Sequence, residues 1–319
     1  MRKIFTLFIA ALCCATMVNA TEGALPGAFT INANGDKIQF SQGNLQYRAS
    51  DNLWRFAENQ WDIIGDGNTN ISATYNGFID LFGWGTGEAP TTAGKTDGYP
   101  YFSDWGINCI SNGGNHANLW RTPTMDEWTY LIHSRTDAEN LFALATVNSI
   151  HGFILLPDNW KLPNGSILHT ATEKGMVWNN EREQYEVNYE DYRNIYKDNI
   201  YTYDEWKVIE AAGAVFLPSA GGRSNTSVGL IGEECLYWSA SPNGMSNAYL
   251  FAVTNKFIKP AEKNERYLGY SVRLVQPYDE HQSIDKTSLE SKSVKCIKDG
   301  QLYIKRNGRT YNAQGAEVK

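Results

Sequence analysis

One five-residue pattern occurs twice in this chain: Thr124-Met125-Asp126-Glu127-Trp128 and Thr202-Tyr203-Asp204-Glu205-Trp206 both read T-x-D-E-W. A threonine hydroxyl at a helix start accepts the backbone N–H three residues on, and a glutamate at that third position reaches back to the threonine N–H. Each copy therefore starts a helix. Trp128 with Leu131 and Ile132, and Trp206 with Ile209, follow at the spacing of a buried stripe, and Gly213 closes the second helix. A catalytic reading of Asp126/Glu127 or Asp204/Glu205 is disfavoured, because adjacent helical side chains point in different directions.

Away from these two segments the text is strand and turn. Apolar and polar residues alternate from Phe29 to Tyr47 around Asn34-Gly35, an opening hairpin, and Asn-Gly or Asp-Gly turns recur at 66, 76, 112, 164 and 243. Compact strands are expected at Ala214 to Leu217, Leu236 to Ser239, Ala248 to Val253 and Tyr267 to Val275. In the last, Tyr270, Val272 and Leu274 share one face, with Ser271 and Arg273 on the other. The fold class is α+β, with two helices, short twisted antiparallel sheets and much loop. A charged, hydroxyl-rich linker over 277–293 then leads to a small β meander over 294–319.

The N-terminus reads as a secretory signal over 1–20. Arg2 and Lys3 precede an apolar run from Ile4 to Met17, and Val18-Asn19-Ala20 supplies the small residues of a cleavage site. Lipidation at Cys13 is disfavoured by bulky Leu12 before it. No other segment has the length of a transmembrane helix. Beyond the signal lie Cys109, Cys235 and Cys296, which permit one disulfide but no framework and leave pairing of Cys109 with Cys235 open. Removing Arg2 and Lys3 takes the formal net charge from -7 to -9, which argues against nucleic acid and anionic membranes as partners. The chain holds 10 Trp, 18 Tyr and 13 Phe, enough rings for a core and a binding surface.

Trp120-Arg121-Thr122-Pro123-Thr124-Met125-Asp126-Glu127-Trp128-Thr129-Tyr130 resembles the R-L-P-T-x-x-E-W-E-Y segment of the formylglycine-generating-enzyme-like (sulfatase-modifying factor) branch of the C-type lectin fold. Gly213 to Arg223, Tyr237-Trp238-Ser239-Ala240-Ser241 and Gly269-Tyr270-Ser271-Val272-Arg273-Leu274-Val275 look like the second half of that branch, which closes on a G-[FY]-x-x-R strand. The resemblance, to exported paralogous domains of Bacteroidetes and Fibrobacter, implies a C-type lectin-like domain over 21–276. The end of the chain, from Lys295 to Lys319, is similar to the C-terminal sorting tails of Bacteroidetes surface proteins, and implies passage across the outer membrane; a small structural add-on is the alternative.

Catalytic motifs are sparse. The resemblance implies a copper-holding cysteine pair for a formylglycine-generating oxidase, and Cys109, Cys235 and Cys296 offer no match to it. The histidines at 116, 133, 151, 169 and 281 stand singly, and Gly83-Trp84-Gly85-Thr86-Gly87 lacks the Lys-Ser/Thr of a phosphate loop. Calcium is the one candidate cofactor, through Asp62, Asp66, Asp80 and Asp104, although no EF-hand pattern is present. Trp178-Asn179-Asn180 is similar to the sugar motif of true C-type lectins but stands at the wrong place in the chain.

A recognition surface suits the residues better. Between Gly222 and Gly269, Arg223, Asn225, Tyr237, Ser241, Asn243, Asn247, Tyr249 and Tyr267 combine rigid rings with adaptable amides and hydroxyls, and the resemblance puts the ligand face here. Trp238, inside an apolar strand, is expected in the core. The expected partners are a glycan or protein ligand outside the cell and the secretion machinery. A metal-dependent oxidase and a structural surface or fimbrial component are the alternative functions. Mass and N-terminal analysis of the exported protein tests both ends of this reading: it should begin at Thr21, and a species shortened from the linker onward would identify removal of the tail, whereas a retained Met1 would overturn the signal.

Overall fold

The structure, a computed structural model, describes residues 22–95, 101–187 and 196–278 and four later strands, Val294–Lys298, Gln301–Arg306, Arg309–Asn312 and Glu317–Val318. The signal segment 1–20 and most of the linker lie outside the described residues. Thr21–Tyr278 form one unit, and the strands after Asp279 belong to another. Those late strands make a four-stranded antiparallel sheet in chain order, so the expected meander is present with the last short strand joined to it. Among the described residues no helix is long and apolar enough to cross a membrane.

The main unit is α+β, and both capping boxes form. In α1 (Met125–Thr129) the Thr124 hydroxyl accepts from Glu127 N–H, while the Glu127 carboxylate accepts from Thr124 N–H at 2.8 Å. Thr202 and Glu205 repeat this at α2 (Tyr203–Ala211), which stops where Gly213 takes φ of +100°. α1 is shorter than its stripe implies: at Tyr130–Ser134 the backbone widens to a π turn. The widening lets consecutive Leu131 and Ile132 both enter the core, and Arg135 turns back to donate to Leu131 O at 2.8 Å.

A five-stranded sheet runs in the order Cys235–Asn243, Asn247–Val253, Phe257–Glu265, Gln184–Glu186, Val177–Asn179. Alternation divides its two faces between two cores. Cys235, Tyr237, Phe251 and Val253 face a cluster that includes Trp128, whose ring stacks on Phe251 at 5.0 Å. Leu236, Trp238, Leu250 and Ala252 face a second cluster with Trp54, Trp84, Trp105 and Trp120. Trp238 is therefore core, and its indole N–H donates to Phe82 O at 2.8 Å. Burying one such ring fully contributes roughly 2–3 kcal/mol.

A second sheet, ordered Ile200–Tyr201, Phe142–Val147, Ile150–Leu155, Val215–Pro218, packs on α2 through Trp206 and Phe216. The opening hairpin pairs Phe29 with Ile38, and Val275–Pro277 pairs with Lys37–Phe40, so the unit continues through Tyr278 rather than stopping at 276.

The expected strand Tyr267 to Val275 is corrected. Its residues from Gly269 to Leu274 thread the interior with both faces buried, joined by isolated bridges to Arg223, Phe82 and Tyr237. Only Val275–Pro277 forms a regular strand.

Candidate functional site

A groove of about 850 Å³ opens where the outer part of the five-stranded sheet meets a separate hairpin, Gly222–Ser224 with Ser227–Gly229. Its floor is core, the buried Leu236, Leu250, Ala252 and Tyr270, and its accessible apolar lining is Val228, Leu230, Phe257 and Leu268; Glu233, Glu234, Lys256, Glu262 and Asn264 add polar groups. A concave, mostly apolar surface of this size with a few polar groups is the usual form of a binding site.

The hairpin is placed by backbone contact with the threaded segment. Arg223 N–H donates to Gly269 O at 2.8 Å, and Gly269 N–H returns a bond to Arg223 O at 2.7 Å. Only glycine allows this approach, because a Cβ at 269 would lie 2.9 Å from the Arg223 guanidinium. That guanidinium donates to Leu81 O at 3.0 Å and Asn225 O at 2.9 Å, fastening the hairpin to the segment beyond Phe78–Ile79.

Polar groups reach the groove from several elements. Asn264 donates to Tyr270 Oη at 2.7 Å. The Tyr270 phenol is pushed up by burial first and then by the charge of Glu234, with Glu262 a further contributor. Glu234, half-buried, is held above the usual carboxylate range by burial and by Glu233, an effect eased by Lys256. Among the described residues no hydrogen bond or ion pair engages the Glu234 carboxyl. Glu262 pairs with Lys259 at 3.4 Å.

The residues expected to bind ligand do not gather here. Only Arg223 lines the groove, and its side chain is 1% exposed. Tyr237 is sealed in the core, its hydroxyl donating to Pro218 O at 3.1 Å, so it presents no ring to the outside. Ser241 accepts from Met125 N–H at 3.0 Å and serves the first turn of α1. Asn225 is exposed at the hairpin turn with φ of +50°. Asn243 and Asn247 face each other across another turn, beside Met245, which is 94% exposed. Tyr249 and Tyr267 are half-buried, and the Tyr267 hydroxyl donates to Glu265 at 2.7 Å.

The residues that do line the groove, Glu233, Glu234, Phe257, Glu262 and Asn264, escape a sequence reading because Phe257–Glu265 is rich in charge and carries Pro260, which masks a strand.

Cysteine and metal readings find little geometry. Cys109 is an exposed free thiol; Cys235 is buried, accompanied by Ser219 Oγ and Leu217 O at 3.2 Å, and burial pushes its thiol up to about 12. The two are not bonded to each other, and Cys296 has no described side chain. The histidines are dispersed: His133 stacks on Trp178 at 3.8 Å and His151 Nδ1 lies 2.9 Å from Gly232 O, while His281 lies outside the described residues. Asn179, beside Trp178, accepts from Glu181 and Arg182 N–H as a turn residue. Among the described residues no three His, Cys, Asp or Glu side chains form a metal-sized cluster. Asp104 caps its own turn by accepting from Gly106 N–H and ties it to Thr122 N–H, 18 residues on, and Asp62 accepts from Asn59 within one loop.

Comparison with protein families, with curated proteins and with solved structures found no match to this chain.

Asp80 is the most unusual of the four aspartates. Fully buried, it accepts from Asn68 at 2.8 Å and from Ile64 N–H at 3.0 Å, and no cation neutralises it among the described residues. Burial raises it from 3.8 to about 6 against the pull of those bonds. A raised carboxyl stabilises the fold fully below the unfolded value and loses that contribution as pH rises through about 6. The difference in unfolding free energy between the natural protein and Asp80→Asn, measured by urea denaturation, should shift in favour of the natural protein by up to about 3 kcal/mol between pH 7 and pH 4. A difference independent of pH would show that Asp80 titrates normally.

Proposed function

We propose that the mature chain is an exported, non-catalytic recognition or adhesion protein that holds a glycan or protein ligand in the groove between the Gly222–Gly229 hairpin and the five-stranded sheet. One observation carries this: a groove floored by the tryptophan-rich core stays open on one side, with Val228, Leu230, Phe257 and Leu268 as its accessible apolar lining and polar side chains from separate elements beside them. A groove braced by the buried Arg223 side chain costs little ordering when a ligand enters, which favours affinity.

The resemblance of Trp120–Tyr130 and Gly269–Val275 to the formylglycine-generating-enzyme-like branch supports a C-type lectin-like version of the α+β fold. The two capped helices and the many short sheets are compatible with it. The signal-like segment at 1–20 and the sorting-like tail at 294–319 support a location in the secreted fraction or at the outer cell surface, with the periplasm as the alternative and the secretion machinery as a transient partner. Among the described residues the buried Cys235 and the exposed Cys109 form no pair, which supports recognition over the oxidase reading.

Glycan and protein arrays probed with mature protein, with and without calcium, test the proposal when paired with Val228→Arg, which puts a bulky charge on the groove wall. Ligands retained by the natural protein should bind the variant about tenfold more weakly or worse, with the fold unchanged by circular dichroism. Retained ligands indifferent to Val228→Arg, or none at all, would overturn the groove; stoichiometric copper or iron held by Cys or His would replace recognition with oxidase chemistry.

A further inference from the structure

The occupant of the groove is marked by its charges. Glu233 and Glu234 line it beside the hairpin, and Glu262 lines it from the strand Phe257–Glu265. The Tyr270 phenol feels both Glu234 and Glu262, which puts those carboxylates on the approach to one apolar floor. The Arg223 guanidinium, the one cation built into the wall, is turned away onto the carbonyls of Leu81 and Asn225. Lys256 and Lys263 also line the groove; both are exposed, and the charge of Lys256 is felt by Glu234 without an ion pair between them.

Glu234 is the decisive group. Its carboxyl is half-buried, sits beside a like charge and has no hydrogen-bond donor or ion-pair partner among the described residues. A carboxylate taken from water without a partner is costly, and the cost is relieved when a cation arrives. Glucose-like hydroxyls would satisfy hydrogen bonds but leave that charge offset by Lys256 alone, at a distance too long for an ion pair. An ammonium or guanidinium on an aliphatic stem satisfies both halves of the site, its stem on Val228, Leu230 and Phe257 and its head toward Glu234. The net charge of -7 favours the approach of such a partner from a distance.

We propose that the groove receives a lysine- or arginine-bearing segment of a protein partner, with Glu234 as its principal anchor and Glu262 as a second contact. This rests on the groove being a binding site at all, and the experiment separates the two ideas.

Isothermal titration of mature protein uses four probes: hexalysine, hexalysine acetylated on every side chain, hexaglutamate and maltohexaose. Hexalysine should bind, weaken steeply with added salt, and lose about tenfold in affinity with Glu234→Gln and less with Glu262→Gln. Asp204→Asn, an exposed carboxylate on α2, should leave binding unchanged. If acetylated hexalysine or maltohexaose binds as well as hexalysine and is lost with Val228→Arg, the groove stands and the cationic assignment falls. Hexalysine binding that ignores Glu234→Gln likewise overturns the assignment. If no probe shows binding sensitive to Val228→Arg, the cationic assignment falls together with the groove.

Discussion

A buried guanidinium organises this domain. Arg273, fully sequestered, donates to Gln60 Oε1 at 2.7 Å and to Asn44 Oδ1 at 3.2 Å, and burial lowers it to about 10. Its contacts are neutral amides rather than a carboxylate, so its charge is balanced through a relay: Gln60 donates to Glu210 on α2 at 3.0 Å, and to Ala214 O. Gln60 Oε1 also accepts from Phe216 N–H, while Asn44 donates to the Tyr237 hydroxyl at 3.1 Å. One side chain thereby ties together the turn before Leu45, the loop at 60, α2, the strand Val215–Pro218 and the five-stranded sheet. Desolvating such a charge is expensive, and the return is that alternatives which break the network leave it unpaired. The network therefore specifies a single arrangement, and breaking it once formed is costly.

The groove follows from that arrangement. Arg273 fixes the threaded segment, and the same segment carries Tyr270 into the groove lining and Gly269 against the hairpin that forms its wall. A second polar chain braces the wall from behind: Asp80 and Asn68 hold the loop at 64–68, Asn68 accepts from Leu81 N–H at 3.0 Å, and Leu81 O receives Arg223. The open apolar surface is therefore bounded on fixed backbone, which is the condition for a preformed site.

Local chemistry made part of this legible. The two T-x-D-E-W segments announced their helices because a capping box is a contact among four consecutive residues. Trp238 and the strand Asn247–Val253 showed in their apolar alternation. The hairpin Phe142–Leu155 did not, since its two-residue turn is Asn148-Ser149, both at positive φ, where Asn-Gly is the familiar sign. Alternation put Arg273 with Ser271 on the polar face of a strand, and alternation alone does not tell solvent from a buried amide network. Tyr237 misled for the same reason: its polar end is satisfied by Asn44 and Pro218, distant in sequence. A groove assembled from residues 222 to 270 by tertiary packing has no local signature.

The role given to Arg273 is tested most directly by urea unfolding of Arg273→Lys, which keeps the positive charge but cannot span both amides in the same geometry. A loss of about 3 kcal/mol or more is predicted, because lysine would break at least one of the bonds to Gln60 and Asn44 in a site where the Arg273 Nε already lacks a partner. A variant as stable as the natural protein within about 0.5 kcal/mol would show that the guanidinium network does not hold the fold together.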